Sequence, residues 1–276
     1  ARLYDAIVSK DSTTWAGTPG YATIKEAIDA APANSGTPYL IFIKAGRYNE
    51  HLQIDKRNIH LIGEDADKVI ITDNRLCGST SDPSVPAEKQ NLHVSQGATV
   101  VVNGSDFFAE GISFENDWGV SKLAGPQALA LYTVGDKVIL NKCKLRSYQD
   151  TYLTTYSQPD YRHYLKDCFI EGAVDFIYGG GDVYFDACTI YINRDAGGYI
   201  TAPSHAAETK WGYIFMNNTI DAPKATLVYF GRPWQNKPKV SFVNTRLSKN
   251  VSIYGAGWYE TMGAIPAIFA DYNTMD

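Results

Sequence analysis

Two aspartates in similar sequence settings are the residues of this chain best placed to do chemistry together. Asp150 lies in the segment Gln-Asp-Thr-Tyr at 149–152, and Asp175 follows 25 residues later, at the start of Asp-Phe-Ile-Tyr-Gly. If those residues form one coil of a parallel β-helix, neighbouring coils lie about 4.8 Å apart, the ordinary spacing of paired strands, and the two carboxyl groups share one small patch of surface. Carboxylates that close cannot both ionise freely, so one should keep its proton at a pH where the other has lost it. The pair would then supply an acid and a nucleophile from one residue type.

Two glutamines extend this arrangement. Gln149 precedes Asp150 directly, and Gln127 lies 22 residues earlier, again about one coil. A carboxamide donates hydrogen bonds, and donors aimed at a developing oxyanion stabilise it by several kcal/mol. Three successive coils would therefore present Gln127, then Gln149 with Asp150, then Asp175.

The elements that must position these residues show the spacing of a stacked repeat. Apolar residues recur in steps of 25, 20, 30 and 27 residues, which indicates a solenoid. Each lies in a short run rich in Val, Ile, Phe and Tyr with alternating polarity, which is typical of strands and not of helices. The recurring positions are Leu145, Ile170, Ile190, Ile220 and Leu247. We predict a single all-β domain over residues 1–276, folded as a parallel β-helix.

One helix is predicted near the start of the chain. Thr23 and Glu26 have the spacing of a capping box, and an apolar stripe follows at Ile24, Ala27, Ile28 and Ala31. A solenoid needs its open end covered, so we interpret this helix as an N-terminal cap. After Gly255 the repeat signal fades, and we expect the chain to run along the outside of the solenoid there.

Composition excludes several classes of protein. The formal net charge is −5, with 25 Lys and Arg against 30 Asp and Glu and no basic run, so nucleic acid is not an expected partner. No apolar stretch approaches the roughly 18 residues of a membrane span. The chain starts at Ala1 without a Met or a signal-like apolar segment, which fits either a removed leader or a trimmed chain, and we expect a secreted protein. We also expect a monomer.

No cofactor and no metal are predicted. The five histidines, at positions 51, 60, 93, 163 and 205, are scattered and lack metal-ligand spacing. The glycines at 179–181 are not followed by the Lys-Ser/Thr of a phosphate loop, so they are better interpreted as a turn.

Cysteines and sequons add weaker signals. Four cysteines allow three complete pairings. Cys168 and Cys188 occupy the same place in successive repeats, which fits either a ladder of small buried side chains or a disulfide. A secreted chain favours the Cys168–Cys188 disulfide. Asn-x-Ser/Thr sequons occur at 103–105, 217–219 and 250–252, and they matter only in a host that glycosylates.

Five segments of the chain together resemble the pectin methylesterases, a family of carbohydrate esterases with a right-handed parallel β-helix. The matching segments, in the family's order and spacing, are 46–50, 127–131, 149–151, 175–179 and 229–234. The resemblance implies hydrolysis of galacturonic acid methyl esters in pectin, with release of methanol. The cysteine spacing around Asp175 is more typical of the family's microbial members than of its plant members.

The resemblance also implies a role for each matching residue. Asp175 resembles the nucleophile, and Asp150 the general acid that later acts as base. Gln127 and Gln149 resemble the oxyanion donors, and Arg232 the cation that orients Asp175 and keeps it ionised.

Further residues resemble the family's sugar-binding positions. Trp234 would form part of the sugar-binding wall, and Val174 and Tyr178 match positions that line the site. Tyr152 stands where relatives commonly have Leu, so we expect it to alter contacts in the groove. The loop 154–161 is expected to shape the preference for substrate length.

Other functions stay open at this point. A β-helix glycosidase would use the aspartate pair across a glycosidic bond, and a lyase would need acidic calcium ligands, but the Asn-Thr-Asp, Asp-Asp and Gly-His-Gly blocks of polygalacturonases are absent. The lack of a Gly-x-Ser-x-Gly elbow disfavours a serine esterase. A non-catalytic protein that binds cell-wall polysaccharide would share the fold, because a fold does not determine a function.

Overall fold

The structure is a computed structural model that describes residues 2–11, 15–195 and 197–276. Its strands form three parallel sheets, and most coils of the chain add one strand to each sheet. Paired strands run in the same direction throughout, so the coils stack into a right-handed parallel β-helix. Among the described residues, no helix is long and apolar enough to cross a membrane.

Each sheet is built from strands that are far apart in the chain, and neighbours in the following order are hydrogen-bonded. The first sheet contains β2 (Gly20–Tyr21), β1 (Ala6–Val8), β3 (Tyr39–Ile43), β6 (Ile59–Gly63), β9 (Phe108–Glu110), β12 (Val138–Asn141), β15 (Arg162–Lys166), β18 (Asp182–Asp186), β21 (Tyr213–Met216), β24 (Lys239–Val243) and β27 (Ile268–Tyr272). The second contains β25 (Arg246–Leu247), β22 (Thr219–Asp221), β19 (Thr189–Ile192), β16 (Phe169–Gly172), β13 (Lys144–Arg146), β10 (Ser113–Asn116), β7 (Val69–Asp73) and β4 (Gly46–Asn49). The third contains β26 (Val251–Ile253), β23 (Thr226–Gly231), β20 (Tyr199–Pro203), β17 (Val174–Gly179), β14 (Tyr152–Leu153), β11 (Leu131–Thr133), β8 (Val100–Val102) and β5 (Leu52–Ile54).

The predicted repeat is confirmed in the second sheet. The five recurring apolar residues, from Leu145 to Leu247, are direct partners across successive strands, and all five point into the core. The turn that leads into this sheet uses one left-handed residue per coil, for example Asp167, Asn217 and Asn244 with φ of 51°, 57° and 54°. Asp and Asn tolerate that conformation better than other non-glycine residues, which explains why they recur there.

The predicted capping helix is also confirmed. α1 (Ile24–Asp29) begins after Thr23, whose hydroxyl accepts a hydrogen bond from the Glu26 N–H at 3.1 Å. Its buried face, Ile24, Ala27 and Ile28, joins the main core beneath the first coil. The remaining helices are short and lie in loops: the 3-10 helix Ala87–Lys89, α2 (Val94–Gly97) and α3 (Asp117–Lys122).

Two expectations are wrong. The chain after Gly255 does not simply run outside the solenoid, because β27 pairs with β24 and extends the first sheet. The Cys168–Cys188 disulfide is absent, and all four cysteines are free thiols. Cys168 and Cys188 do stack in successive coils as reduced thiols that lie close to each other. Their sulfur atoms also contact backbone carbonyls, at 3.5 Å to Leu140 and Leu165 respectively.

Candidate active site

Asp150 and Asp175 lie side by side on the outer face of the third sheet. Gln149 pairs with Val174 in a parallel bridge, and the Asp150 N–H donates to the Val174 carbonyl at 3.0 Å. The two aspartates are therefore neighbours in adjacent coils. Both have left-handed backbones, with φ of 62° and 51°, a conformation that is uncommon outside glycine and concentrates at functional sites.

Arg232, directly after β23, holds Asp175 by two hydrogen bonds. Its Nε donates to Oδ1 at 2.8 Å and its Nη2 to Oδ2 at 2.6 Å, the bidentate geometry that a guanidinium favours with a carboxylate. Asp175 is only 7% exposed, and the guanidinium carbon lies 4.0 Å from the ring centroid of Tyr199. The arginine is thus fixed between a carboxylate and an aromatic ring.

The surroundings of the two carboxyl groups shift their pKa values to different extents. Burial raises the pKa of Asp150 well above its usual range, the neighbouring Asp175 charge raises it further, and Arg232 opposes both effects. Burial also raises the pKa of Asp175, but the hydrogen bonds and charge of Arg232 oppose that rise directly. Only the rise at Asp175 is opposed by direct hydrogen bonds, so Asp175 is the stronger acid of the two and Asp150 is better placed to keep a proton.

The two glutamines are brought to the same sheet. The Ala128 N–H donates to the Gln149 carbonyl at 3.1 Å, which joins the two segments across adjacent coils. Among the described residues, Gln127 and Gln149 take part in hydrogen bonds through their backbone carbonyls and not through their side-chain amides. Both side chains are partly exposed, so their N–H groups remain available to a ligand.

An apolar floor continues along the strands from the aspartates. Tyr178 and Leu153 are buried in it, and Trp234 packs edge-on against the Tyr178 ring at a centroid distance of 5.6 Å. Val174 is half-buried beside Asp175. We call this surface, formed by Leu153, Tyr178, Ala202 and Trp234, the groove floor.

The expectation for Tyr152 is wrong. Tyr152 is fully buried inside the solenoid, where its hydroxyl lies 2.8 Å from the Thr133 hydroxyl. Asp150 has a left-handed backbone, which interrupts the inward–outward alternation of side chains along the strand. The direction in which Tyr152 points therefore does not follow from the direction of Asp150. Leu153, one residue later, faces the groove instead.

Two groove residues were missed by sequence reasoning. Tyr199 pairs with Val174 across one coil, and this register could have placed it near Arg232. Cys77 packs against the groove floor, and burial raises the pKa of its thiol to about 12, so the thiol is neutral. The only sequence signal for Cys77 is that it does not occupy the repeat position that Cys168 and Cys188 share. Within the described residues, no group of three or more His, Cys, Asp or Glu side chains is arranged to hold a metal ion.

Comparison with known families decides where the chain belongs. A family model described as pectinesterase matches residues 5–274. The chain belongs to the pectinesterase family. It is 34% identical to a pectinesterase from Petunia integrifolia, over 99% of this chain and 72% of that protein. It is 33% identical to a probable pectinesterase/pectinesterase inhibitor from Arabidopsis thaliana, over 94% of this chain but 47% of that protein, so it spans less than half of that relative.

Solved structures of the family share the fold. A pectin methylesterase from carrot is 28% identical with a TM-score of 0.80, covering 100% of this chain and 84% of that one. One from Aspergillus niger is 29% identical with a TM-score of 0.80, covering 100% and 86%. One from Erwinia chrysanthemi is 25% identical with a TM-score of 0.79, covering 99% and 94%. Plant and microbial relatives overlap in identity, so the expected closeness to microbial members stays a prediction.

Proposed function

We propose that this protein hydrolyses the C6 methyl esters of galacturonate in pectin, giving de-esterified pectate and methanol. The observation that carries the proposal is the asymmetric carboxyl pair: Arg232 holds Asp175 by two hydrogen bonds, whereas burial and the Asp175 charge raise the pKa of Asp150 beside it. Membership of the pectinesterase family supports the reaction class, a carboxylic ester hydrolase.

The first half of the reaction uses Asp175 as nucleophile. Its carboxylate attacks the ester carbonyl carbon, and the amides of Gln127 and Gln149 stabilise the negative charge that develops on the carbonyl oxygen. Collapse of the tetrahedral intermediate breaks the bond to the methoxy oxygen, which takes the Asp150 proton and leaves as methanol. Arg232 holds the attacking carboxylate in one orientation throughout.

The second half regenerates both groups. Asp150, now a carboxylate, removes a proton from water, and the resulting hydroxide attacks the acyl-enzyme anhydride. The products are a galacturonic acid carboxyl group on the polymer, which releases its proton to solvent, together with ionised Asp175 and protonated Asp150. Trp234, Tyr178 and Val174 would bind the sugar beside the reacting ester.

The polymer, the oligomeric state and the location are part of the same proposal. We propose that one monomer acts on methylated homogalacturonan outside the cell, as a single pectinesterase domain over residues 1–276. The family match over 5–274 supports the domain assignment. The sequence charge of −5 supports the exclusion of nucleic acid as a partner.

The test is methanol release from highly methylated pectin, measured beside viscosity and unsaturated products in the same sample. Methanol without chain shortening is the expected result. Chain shortening without methanol would assign a glycosidase or a lyase to this β-helix, and neither signal would leave a non-catalytic polysaccharide-binding protein or an esterase for another ester. Asp175→Asn should remove nearly all methanol release while leaving the circular dichroism spectrum unchanged.

A further inference from the structure

A buried threonine adjoins the carboxyl pair. Thr151 follows Asp150 in the chain and is fully buried. Its Oγ1 donates a hydrogen bond of 2.7 Å to the carbonyl of Glu171, which lies in the next coil, four residues before Asp175. This bond therefore joins the segment that carries Asp150 to the segment that leads to Asp175.

The bond lies where regular strand pairing between the two coils is interrupted. A bridge at Gln149 joins the coils, and regular pairing begins again at Tyr152, so Asp150 and Thr151 fall between the two paired stretches. Both aspartates have left-handed backbones, a conformation that does not continue a regular strand. The backbone bond from the Asp150 N–H to the Val174 carbonyl is thus supplemented, at this place, by a side-chain bond.

Packing at Gly172 shows how closely Thr151 approaches the segment that leads to Asp175. A Cβ at Gly172 would lie 2.8 Å from the Thr151 Oγ1 and 2.3 Å from the Phe176 Cβ, so only glycine allows this close approach. Phe176 is fully buried and follows Asp175 directly. The residues that follow the two aspartates therefore meet at one glycine, and a shift of Thr151 would displace the turn before Asp175.

The same bond occurs two coils earlier, away from the aspartates. Thr99 is also fully buried, and its Oγ1 donates to the Glu115 carbonyl at 2.8 Å. The register of β8, β11 and β14 places Thr99 in the position that Thr151 occupies two coils later. Glu115 and Glu171 occupy equivalent positions in the second sheet. The chain thus contains one such bond beside the aspartates and an equivalent bond remote from them.

We propose that Thr151 is a positioning residue for the ester hydrolysis: its hydroxyl holds Asp150 at the distance from Asp175 at which one carboxyl group attacks while the other protonates the departing methanol. This inference rests on the proposed function, because that function assigns the two roles to the aspartates. Thr151 is fully buried and does not touch the substrate, so its loss should change kcat and leave KM as it is.

Four variants isolate the hydroxyl. Thr151→Val removes it and nearly keeps the shape of the side chain, and the Glu171 carbonyl keeps a second donor, the Ser147 N–H at 3.3 Å. Thr151→Ser keeps the hydroxyl, and Thr99→Val is the matched control because it removes the equivalent bond away from the aspartates. Comparison of Thr151→Ala with Thr151→Ser isolates the hydroxyl a second time without adding bulk, and it replaces the valine comparison if Thr151→Val does not fold.

The first readout is methanol release from methylated pectin, with thermal unfolding in the same buffers. In Thr151→Val, kcat should fall about 10- to 100-fold, because a displacement of about 1 Å in a reacting geometry has an effect of that order, and KM should not change. The basic limb of the kcat/KM profile should move to lower pH, since the Asp175 charge raises the pKa of Asp150 and acts more weakly over a longer distance.

The control variants decide between positioning and stability alone. Thr151→Ser should follow wild type, and Thr99→Val should lower Tm about as much as Thr151→Val while keeping the wild-type kcat and pH profile. A Thr151→Val protein with a lowered Tm but the kcat and pH profile of wild type would overturn the proposal and leave a purely structural hydrogen bond.

A measurement without turnover separates failure of this inference from failure of the proposed function. The pKa of Asp150 is measured by NMR titration of the aspartate carboxyl carbons, with Asp150→Asn to assign its signal. If wild type releases no methanol, a pKa that is lower in Thr151→Val but unchanged in Thr99→Val would support the control of the carboxyl spacing by Thr151 while rejecting the esterase. Equal pKa values in the three proteins would reject the positioning role as well.

Discussion

Replacing Arg232 by glutamine tests the central electrostatic claim about the site. Asp175 is 7% exposed and receives hydrogen bonds of 2.8 and 2.6 Å from the guanidinium. Arg232→Gln removes the charge and leaves at most one neutral donor, so at least one charge-assisted hydrogen bond is lost. Such a bond contributes about 1.5–3 kcal/mol, which corresponds to a fall in kcat/KM of about 10- to 150-fold.

The pH dependence gives the sharper readout. Burial already raises the pKa of Asp175, and Arg232 is the group that opposes this rise. Without the arginine the pKa rises further, so the acid limb of the kcat/KM profile should move to higher pH. When the pKa of a buried acid is higher in the folded than in the unfolded protein, binding of the proton stabilises the folded state at a pH below the unfolded pKa. That contribution is lost as the pH rises through the folded pKa. The Tm deficit of the variant should therefore grow between acidic and neutral pH.

The assay is methanol release across a pH series, with thermal unfolding measured in the same buffers. Arg162→Gln is the matched control: Arg162 also pairs with an aspartate through its guanidinium, at 2.9 Å to Asp136, but its side chain is 61% exposed. Loss of that exposed, solvent-screened pair should have little effect on stability and should leave the pH profile in place. An unmoved acid limb in Arg232→Gln would refute the idea that Arg232 governs the ionisation of Asp175.

Three further predictions concern neighbouring features. Asp150→Asn should abolish turnover yet raise Tm at neutral pH, because folded wild type keeps its buried Asp150, whose pKa is raised, protonated at a pH where the unfolded chain has already released that proton, and so loses stability; a Tm unchanged at every pH would contradict this. Tyr199→Leu should lower kcat and move the acid limb to higher pH, since the ring beneath Arg232 is lost, while Tyr199→Phe should keep both values, and equal behaviour of the two variants would dismiss the stacking role. Thiol titration of the unfolded, unreduced protein should find four free thiols, whereas a count of two would restore the Cys168–Cys188 disulfide.

The interior of the solenoid could be predicted from the sequence because only apolar side chains can fill it. Leu145 and its four partners point into the interior of successive coils and must therefore be apolar. The numbers of residues between them were enough to predict which residues pair across the strands. The closeness of Asp150 and Asp175 was predictable for the same reason, since one coil separates them.

The predictions that failed concern places where backbone geometry departs from a regular strand. The left-handed Asp150 shifts the side-chain parity, which put Tyr152 in the core and Leu153 in the groove. β27 is mostly exposed and carries little apolar patterning, so its pairing with β24 had no sequence signal. The stack of Arg232 on Tyr199 depends on side-chain contacts from different coils, and no local motif encodes it.

The loop 154–161 lies inside the same turn of chain that connects Asp150 to Asp175. The spacing of the two carboxyl groups is nevertheless held by hydrogen bonds between coils, such as that from the Asp150 N–H to the Val174 carbonyl, and not by the length of chain between them. We accordingly expect that residues can be added to or removed from that loop without altering the distance between Asp150 and Asp175. The position of the carboxyl pair and the shape of the loop are thus set by separate parts of the structure, so that one can change while the other stays fixed.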